Sequence, residues 1–350
     1  MAEILALGIT HFPALAVPDE AMTNFLPAML RNPALSEEQR QPANWPAPMR
    51  AEWGDDAGHG AAVRHRAELV SWMRKTRQAL DDFAPDLVLI LGDDQYENFL
   101  EDVIPAYCVN AHPEFTYGPP AKNYWGEPAG TKFTLPGNQE AGKYLASKLL
   151  SAGFDTAYSY KPLHHDLGHA FTNAILFLDY DRTGFSYPLL PVSLNSYGRQ
   201  VICQKGGFPD FGRITTEEDL DPPAPTPWRL FDLGAEIARI FAESPWRVAI
   251  IASSGWSHGF LTRKNNFLFP DVAADKKLFA ALTAGEYRTW RNYPAEAIED
   301  SGQHEVLNWM CLAGALEALG RGPGETEFIE TWIFNSSKVF LISPPGEEAK

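Results

Sequence analysis

Cysteine is scarce in this chain: Cys108, Cys203 and Cys311 are the only three, widely separated. Such spacing supplies neither a disulfide framework nor a thiolate zinc site, so all three read as reduced thiols. Basic charge is also short. Lys and Arg number 29 against 45 Asp and Glu, a formal net charge of -16. That balance excludes a general nucleic-acid binder and an adaptor for anionic membranes, since both need a basic face. No apolar stretch is long enough to span a bilayer, and Met1-Ala2-Glu3 runs into a strand-like segment without the basic region of a secretory signal. A soluble cytoplasmic protein is therefore expected. No glycine-rich phosphate loop ending in Lys-Ser or Lys-Thr is found, nor G-x-G-x-x-G after a strand, nor H-E-x-x-H. Nucleotide binding and that zinc-protease chemistry lose their support.

What is present is apolar and aromatic residue in quantity, 45% and 12% of 350 residues, enough for a large core. Short apolar runs at Ile4 to Ile9, Leu87 to Leu91, Tyr187 to Leu194 and Val248 to Ala252 read as buried strands of a mainly parallel sheet. Helical patterns over Ala61 to Phe83, Gln139 to Ser151 and Pro227 to Ala242 alternate with them. The fold class predicted is α/β: one large domain over 1–350, its parallel central sheet flanked by helices. Glu325 to Ile333 and Lys338 to Ile342 form an expected C-terminal antiparallel hairpin. Residues 13–58 and 204–227 are too long for ordinary connections and read as an insertion and a long loop, both suited to lids or interfaces.

Ligands of open α/β sheets sit outside the carboxyl ends of the strands. Polar residues gather there: Thr10-His11 after the first run, Asp93-Asp94-Gln95 after the second, Asn195-Ser196 after the third, and Ser253 to His258 after the fourth. His164-His165-Asp166-Leu167-Gly168-His169 adds a further group. Glu305 lies four residues before Trp309, on a face shared with Leu312, Leu316 and Leu319 of the last long helical pattern. A carboxylate on an apolar helical face needs a cation, a strong donor or a metal opposite it, and a structural salt bridge is the plain alternative. Histidines with a carboxylate supply the parts for a mononuclear metal site of the kind found in non-heme Fe(II) oxygenases. Ser254 or Ser257 beside His258 lacks a helix-opening elbow, so serine hydrolysis is disfavoured.

These residues, in order, resemble the class III extradiol ring-cleaving dioxygenases. The resemblance runs through Gly8-Ile9-Thr10-His11-Phe12-Pro13-Ala14, Pro85 to Asp94, Val103 to Cys108, Asp166-Leu167-Gly168-His169, Ser254-Gly255-Trp256-Ser257-His258 and His304 to Trp309. It does not cover the 13–58 insertion. It implies Fe(II) as the metal, His11 and Glu305 as ligands, His258 as the acid-base catalyst and His169 as an assisting residue. It also implies a small aromatic diol or aminophenol and O2 as substrates, and a homodimer.

The family's third ligand is a histidine directly after the Asp at the end of the second strand, and here that position is Gln95. The open choices are Gln95 through its amide oxygen, a poorer iron partner than imidazole, or His59, expected at the rim because it stands just before a helix that follows the first strand. We take His59 as the expected third ligand. Phe12, Trp256 and Tyr96 are expected to wall the aromatic ring. A noncatalytic partner subunit of the same fold and a metal-dependent hydrolase or lyase are the competing readings.

Overall fold

A computed structural model describes residues 2–206 and 216–346. Its strands are β1 (Ile4–Ile9), β2 (Leu87–Asp93), β3 (Tyr107–Asn110), β4 (Glu114–Tyr117), β5 (Phe133–Pro136), β6 (Ala157–Ser159), β7 (Leu189–Leu194), β8 (Val248–Ser253), β9 (Glu325–Ile329) and β10 (Lys338–Ser343). Eight of them form one sheet in the order β6-β3-β7-β2-β8-β1-β10-β9, and β4 pairs with β5 separately. The central four, β7, β2, β8 and β1, are parallel. These coincide with the four apolar runs of the sequence, and every residue of each strand is buried. Antiparallel pairing of β1 with β10 and of β10 with β9 closes one edge, so the C-terminal hairpin is present.

Alternation along the strands splits the core into two layers. Leu5, Leu7 and Ile9 of β1 face a layer containing Leu69, Met73 and Leu80 of the helix His59–Phe83 and Phe171 and Ile175 of the helix His169–Leu178. Ile4 and Ala6 face the other way, onto Leu230 and Ile237 of the helix Pro227–Ala242 and Trp309 and Leu312 of the helix Val306–Ala318. The Val306–Ala318 helix is buried from Val306 through Leu316, not along a single stripe. It lies between the sheet and the Pro227–Ala242 helix, so it has no solvent face. Gly8 makes room for it: a Cβ there would stand 2.1 Å from the Trp309 ring.

The 13–58 segment folds into short helical turns rather than an open loop. Its Glu52 is tied to the loop between β9 and β10, accepting from Thr331 Oγ1 at 2.7 Å and from the backbone N–H of Ile333 at 2.9 Å. Part of the 204–227 loop, residues 207–215, lies outside the described residues. No helix among the described residues is long and apolar enough to cross a membrane.

Two tests follow from this packing. Gly234 and Gly314 let the two inner helices touch backbone to backbone, since added Cβ atoms would stand 1.8 Å from the Cys311 carbonyl oxygen and 1.9 Å from that of Phe231. Gly234→Ala is expected to lose about 3 kcal/mol, the upper end for overpacking, read as a lower urea midpoint. Lys338 is fully buried, its Nζ donating to the Phe334 carbonyl at 2.9 Å and lying 3.7 Å above the Phe12 ring. Burial holds its pKa well below 10.5, with Glu52 opposing. Between the two values the unfolded chain binds a proton that the folded chain does not, so stability rises with pH through that window. The stability of Lys338→Met minus that of the wild type should therefore shrink between pH 7 and pH 10.5; a constant gap would mean that Lys338 is charged in the fold.

Candidate metal centre

The carboxyl ends of β1, β2 and β8 converge with two helix starts. His11 follows β1 by two residues, Asp93 ends β2, His169 opens its helix, and Glu305 is the N-cap of the helix Val306–Ala318. Ligand atoms of these four side chains all lie within 4.8 Å of one another.

Hydrogen bonding fixes each group. The Ser253 hydroxyl donates to the Ala170 carbonyl at 2.9 Å, so toward His11 Nδ1, 3.1 Å away, it acts as acceptor. This places the His11 proton on Nδ1 and leaves Nε2 with a lone pair facing the site. His11 Nε2 stands 3.1 Å from Glu305 Oε2 and 3.9 Å from Asp93 Oδ1. Two ligands at about 2.1 Å from one ion at right angles are roughly 3 Å apart, so the closer pair suits one shared metal. Glu305 Oε2 also accepts from the Gly255 N–H at 2.7 Å, and Oε1 faces His258 Nε2 at 3.2 Å and the Tyr197 hydroxyl. Asn308, one turn after Glu305, donates to Asp93 Oδ1 at 3.1 Å and to the Ser253 carbonyl at 2.9 Å. Asp93 Oδ2 is buried and has no hydrogen-bond partner among the described residues; His169 Nε2 faces it at 4.0 Å.

Charge is concentrated here. Burial, with Glu305 alongside, pushes Asp93 up to about 6. Burial would raise Glu305 too, but His258 and His11 outweigh it and hold its carboxyl below the usual range. His169 gives Nδ1 to Glu97 Oε2 at 3.0 Å, and its backbone N–H bonds the same carboxylate. Burial lowers the His169 pKa, yet Glu97 and then Asp93 overcome this and raise it to about 10. Burial dominates at His258 and lowers it. The two imidazoles are thus shifted in opposite directions.

Of the residues expected from the sequence, His11, Glu305, His169 and His258 meet in this one place, and His59 does not. His59 is exposed, with Nδ1 2.5 Å from the Asp56 carbonyl oxygen. The helix does begin near this residue, but its inward side is set by His65, buried between Phe12 and Phe334. Six residues are about 600° of helical rotation, so His59 points roughly 120° away from His65. Gln95 borders the site, but its amide N–H donates to the Gly206 carbonyl at 2.6 Å and its oxygen faces Tyr197 at 3.4 Å. Phe12, Pro13, Tyr197, Phe260 and Asn335 wall a cavity of about 460 Å³ that also contains His11, His169, His258 and Glu305. Trp256 is instead a core residue against Trp290 and Trp309, and Tyr96 does not line the cavity. Gly255-Trp256-Ser257-His258-Gly259 has the lettering of a hydrolase nucleophile elbow. Ser257 is nonetheless structural: buried, its hydroxyl donates to the Ser301 carbonyl and accepts from the Asp271 N–H.

Comparison with known proteins agrees with this geometry. No family model matches the chain. A curated 2,3-dihydroxyphenylpropionate/2,3-dihydroxicinnamic acid 1,2-dioxygenase of Burkholderia vietnamiensis is 30% identical over 291 residues, covering 76% of this chain and 87% of that protein. The chain belongs to the extradiol ring-cleaving dioxygenase family. Other family members carrying the same name, from Paraburkholderia phymatum and Rhodococcus jostii, are 29% and 27% identical over 76% and 73% of this chain and 87% and 85% of their own lengths.

Sequence reasoning did not assign roles to Asp93, Glu97, Tyr197 or Asn308. Asn308 carried a signal, lying one helical turn from Glu305, and Asp93 another, ending a fully apolar strand. Anaerobic titration with Co(II) separates the histidines. His59→Ala should bind within about twofold of wild type. His11→Ala should weaken binding by more than the roughly 10–100-fold that loss of an outer partner costs.

Proposed function

We propose that this chain is a non-heme Fe(II) dioxygenase that opens an aromatic diol or aminophenol ring next to its paired heteroatoms. The observation that carries this reading is the convergence of His11 Nε2, Glu305 Oε2 and Asp93 Oδ2, which has no hydrogen bond among the described residues, at a cavity that also holds His258 and His169. The donor set fits the metal. An imidazole with a free lone pair, two carboxylates and a buried acceptor lacking a donor suit a divalent cation with positions left open for substrate. His11, Glu305 and Asp93 would hold the ion, with His169 bordering it.

Bound there, Fe(II) would supply the redox chemistry that joins the aromatic substrate to O2. The protein does the rest. Phe12 and Phe260 wall an apolar slot for the ring and exclude water. His258, neutral in its buried position, takes the proton of a substrate hydroxyl as that oxygen becomes anionic. His169, oriented and kept protonated by Glu97, provides a positive N–H at the same cavity for negative charge that develops on oxygen. Both atoms of O2 end in the ring-opened product, so no external reductant is needed.

An oxygen electrode with Fe(II), ascorbate and a panel of catechols and aminophenols tests this. The expected result is O2 uptake matched one to one by a yellow ring-fission product, reduced at least 100-fold in His258→Ala, the loss typical of an acid-base group. Absence of uptake with every substrate, in protein shown to contain iron, contradicts the proposal.

A further inference from the structure

Tyr197 belongs to no motif, yet its hydroxyl reaches the carboxylate at the middle of the site. It stands three residues beyond the end of β7, at a turn closed by the Gly198 N–H donating to Asn195 Oδ1 at 3.0 Å. That turn needs glycine. Gly198 has φ +48°, and a Cβ there would meet the Ala224 nitrogen at 2.2 Å. The Tyr197 ring is 2% exposed and stacks on His304, with centroids 6.1 Å apart and planes 22° apart, while its edge lines the cavity. Two acceptors lie near the hydroxyl, Glu305 Oε1 and Gln95 Oε1, the latter at 3.4 Å. One proton cannot serve both fully, and Glu305 is the closer.

The consequence falls on Glu305. Its Oε2 faces His11 and the Gly255 N–H, whereas its Oε1 is occupied by Tyr197 and His258. A free carboxylate can bind a cation through one oxygen or both. We propose that Tyr197 is a positioning residue of the metal centre, holding Glu305 Oε1 away from the ion so that Glu305 ligates through Oε2 alone. This rests on the metal-site reading above. One-oxygen ligation keeps a coordination position open that a chelating carboxylate would fill. Gln95 supports the arrangement: it stands where the family has a ligand histidine, its N–H is spent on Gly206, and its oxygen lies beside the tyrosine hydroxyl.

The test uses the full chain loaded anaerobically with Co(II). In protein with 13C-labelled glutamate carboxylates, the infrared difference spectrum on metal addition should show a wide, one-oxygen carboxylate splitting in the wild type and a narrow, chelate splitting in Tyr197→Phe. The same variant should show an altered Co(II) visible spectrum and 10–100-fold weaker binding, the loss expected when a ligand's supporting partner is removed. Its thermal midpoint serves as the folding control. A narrow splitting already in the wild type overturns the proposal without recourse to any variant. So does a folded Tyr197→Phe whose infrared and visible spectra superimpose on those of wild type. Wild-type protein that takes up no Co(II) overturns the metal-site reading itself, and the tyrosine role with it.

Discussion

Two carboxylates buried together, Asp93 and Glu305, are the constraint around which the rest of the site is arranged. Burial first, and then a like charge within a few ångströms, push a carboxylate pKa up, which is the direction seen at Asp93. Such a pair persists only where positive charge and donors converge on it. Here His169 supplies positive charge beside Asp93, and Asn308, Gly255 and Tyr197 supply donors. Even so, Asp93 Oδ2 has no hydrogen-bond donor among the described residues. A divalent cation is the simplest group that satisfies it, because it neutralises both carboxylates at once.

The fold explains why the convergence occurs at this rim. Parallel β1, β8 and β2 end side by side, so His11, Ser253 and Asp93 are neighbours although far apart in sequence. The helix carrying Glu305 and Asn308 is buried on every side along most of its length, pinned by Trp309 over Gly8 and by glycine contacts to the Pro227–Ala242 helix. That leaves little freedom for the Glu305 carboxylate. Site groups set on rigid elements keep their geometry better than groups on open loops. His258 is the exception, held on a loop, and it is fixed there by the Ser257 N–H donating to the buried Asp275 carboxylate and the His258 N–H donating to the Gly302 carbonyl.

Much of this was legible in the sequence, and the residues show why. Four continuous apolar runs became the four parallel strands because strands buried on both faces carry no alternation to misread. His11, His169, His258 and Glu305 were visible because each sits at an element end and within an ordered family pattern. The short strands β3 and β6 were not expected, since three or four residues give too little periodicity. His59 lies apart from the His11, Asp93, His169 and Glu305 group because standing near the start of a helix does not fix which way a side chain points. Asp93 and Tyr197 were not assigned roles because their importance lies in contacts across the fold, from β2 to the last long helix and from the turn after β7 to Glu305. Spacing in one chain does not encode such contacts.

The most direct measurement is a crystal structure of anaerobically Fe(II)-loaded protein, with anomalous difference maps collected on both sides of the iron absorption edge. The account predicts one iron peak per chain, within bonding distance of His11 Nε2, Glu305 Oε2 and a carboxylate oxygen of Asp93, with His258 and His169 beside it but unbound. An iron peak at His59, at Gln95, or away from Glu305 would contradict it.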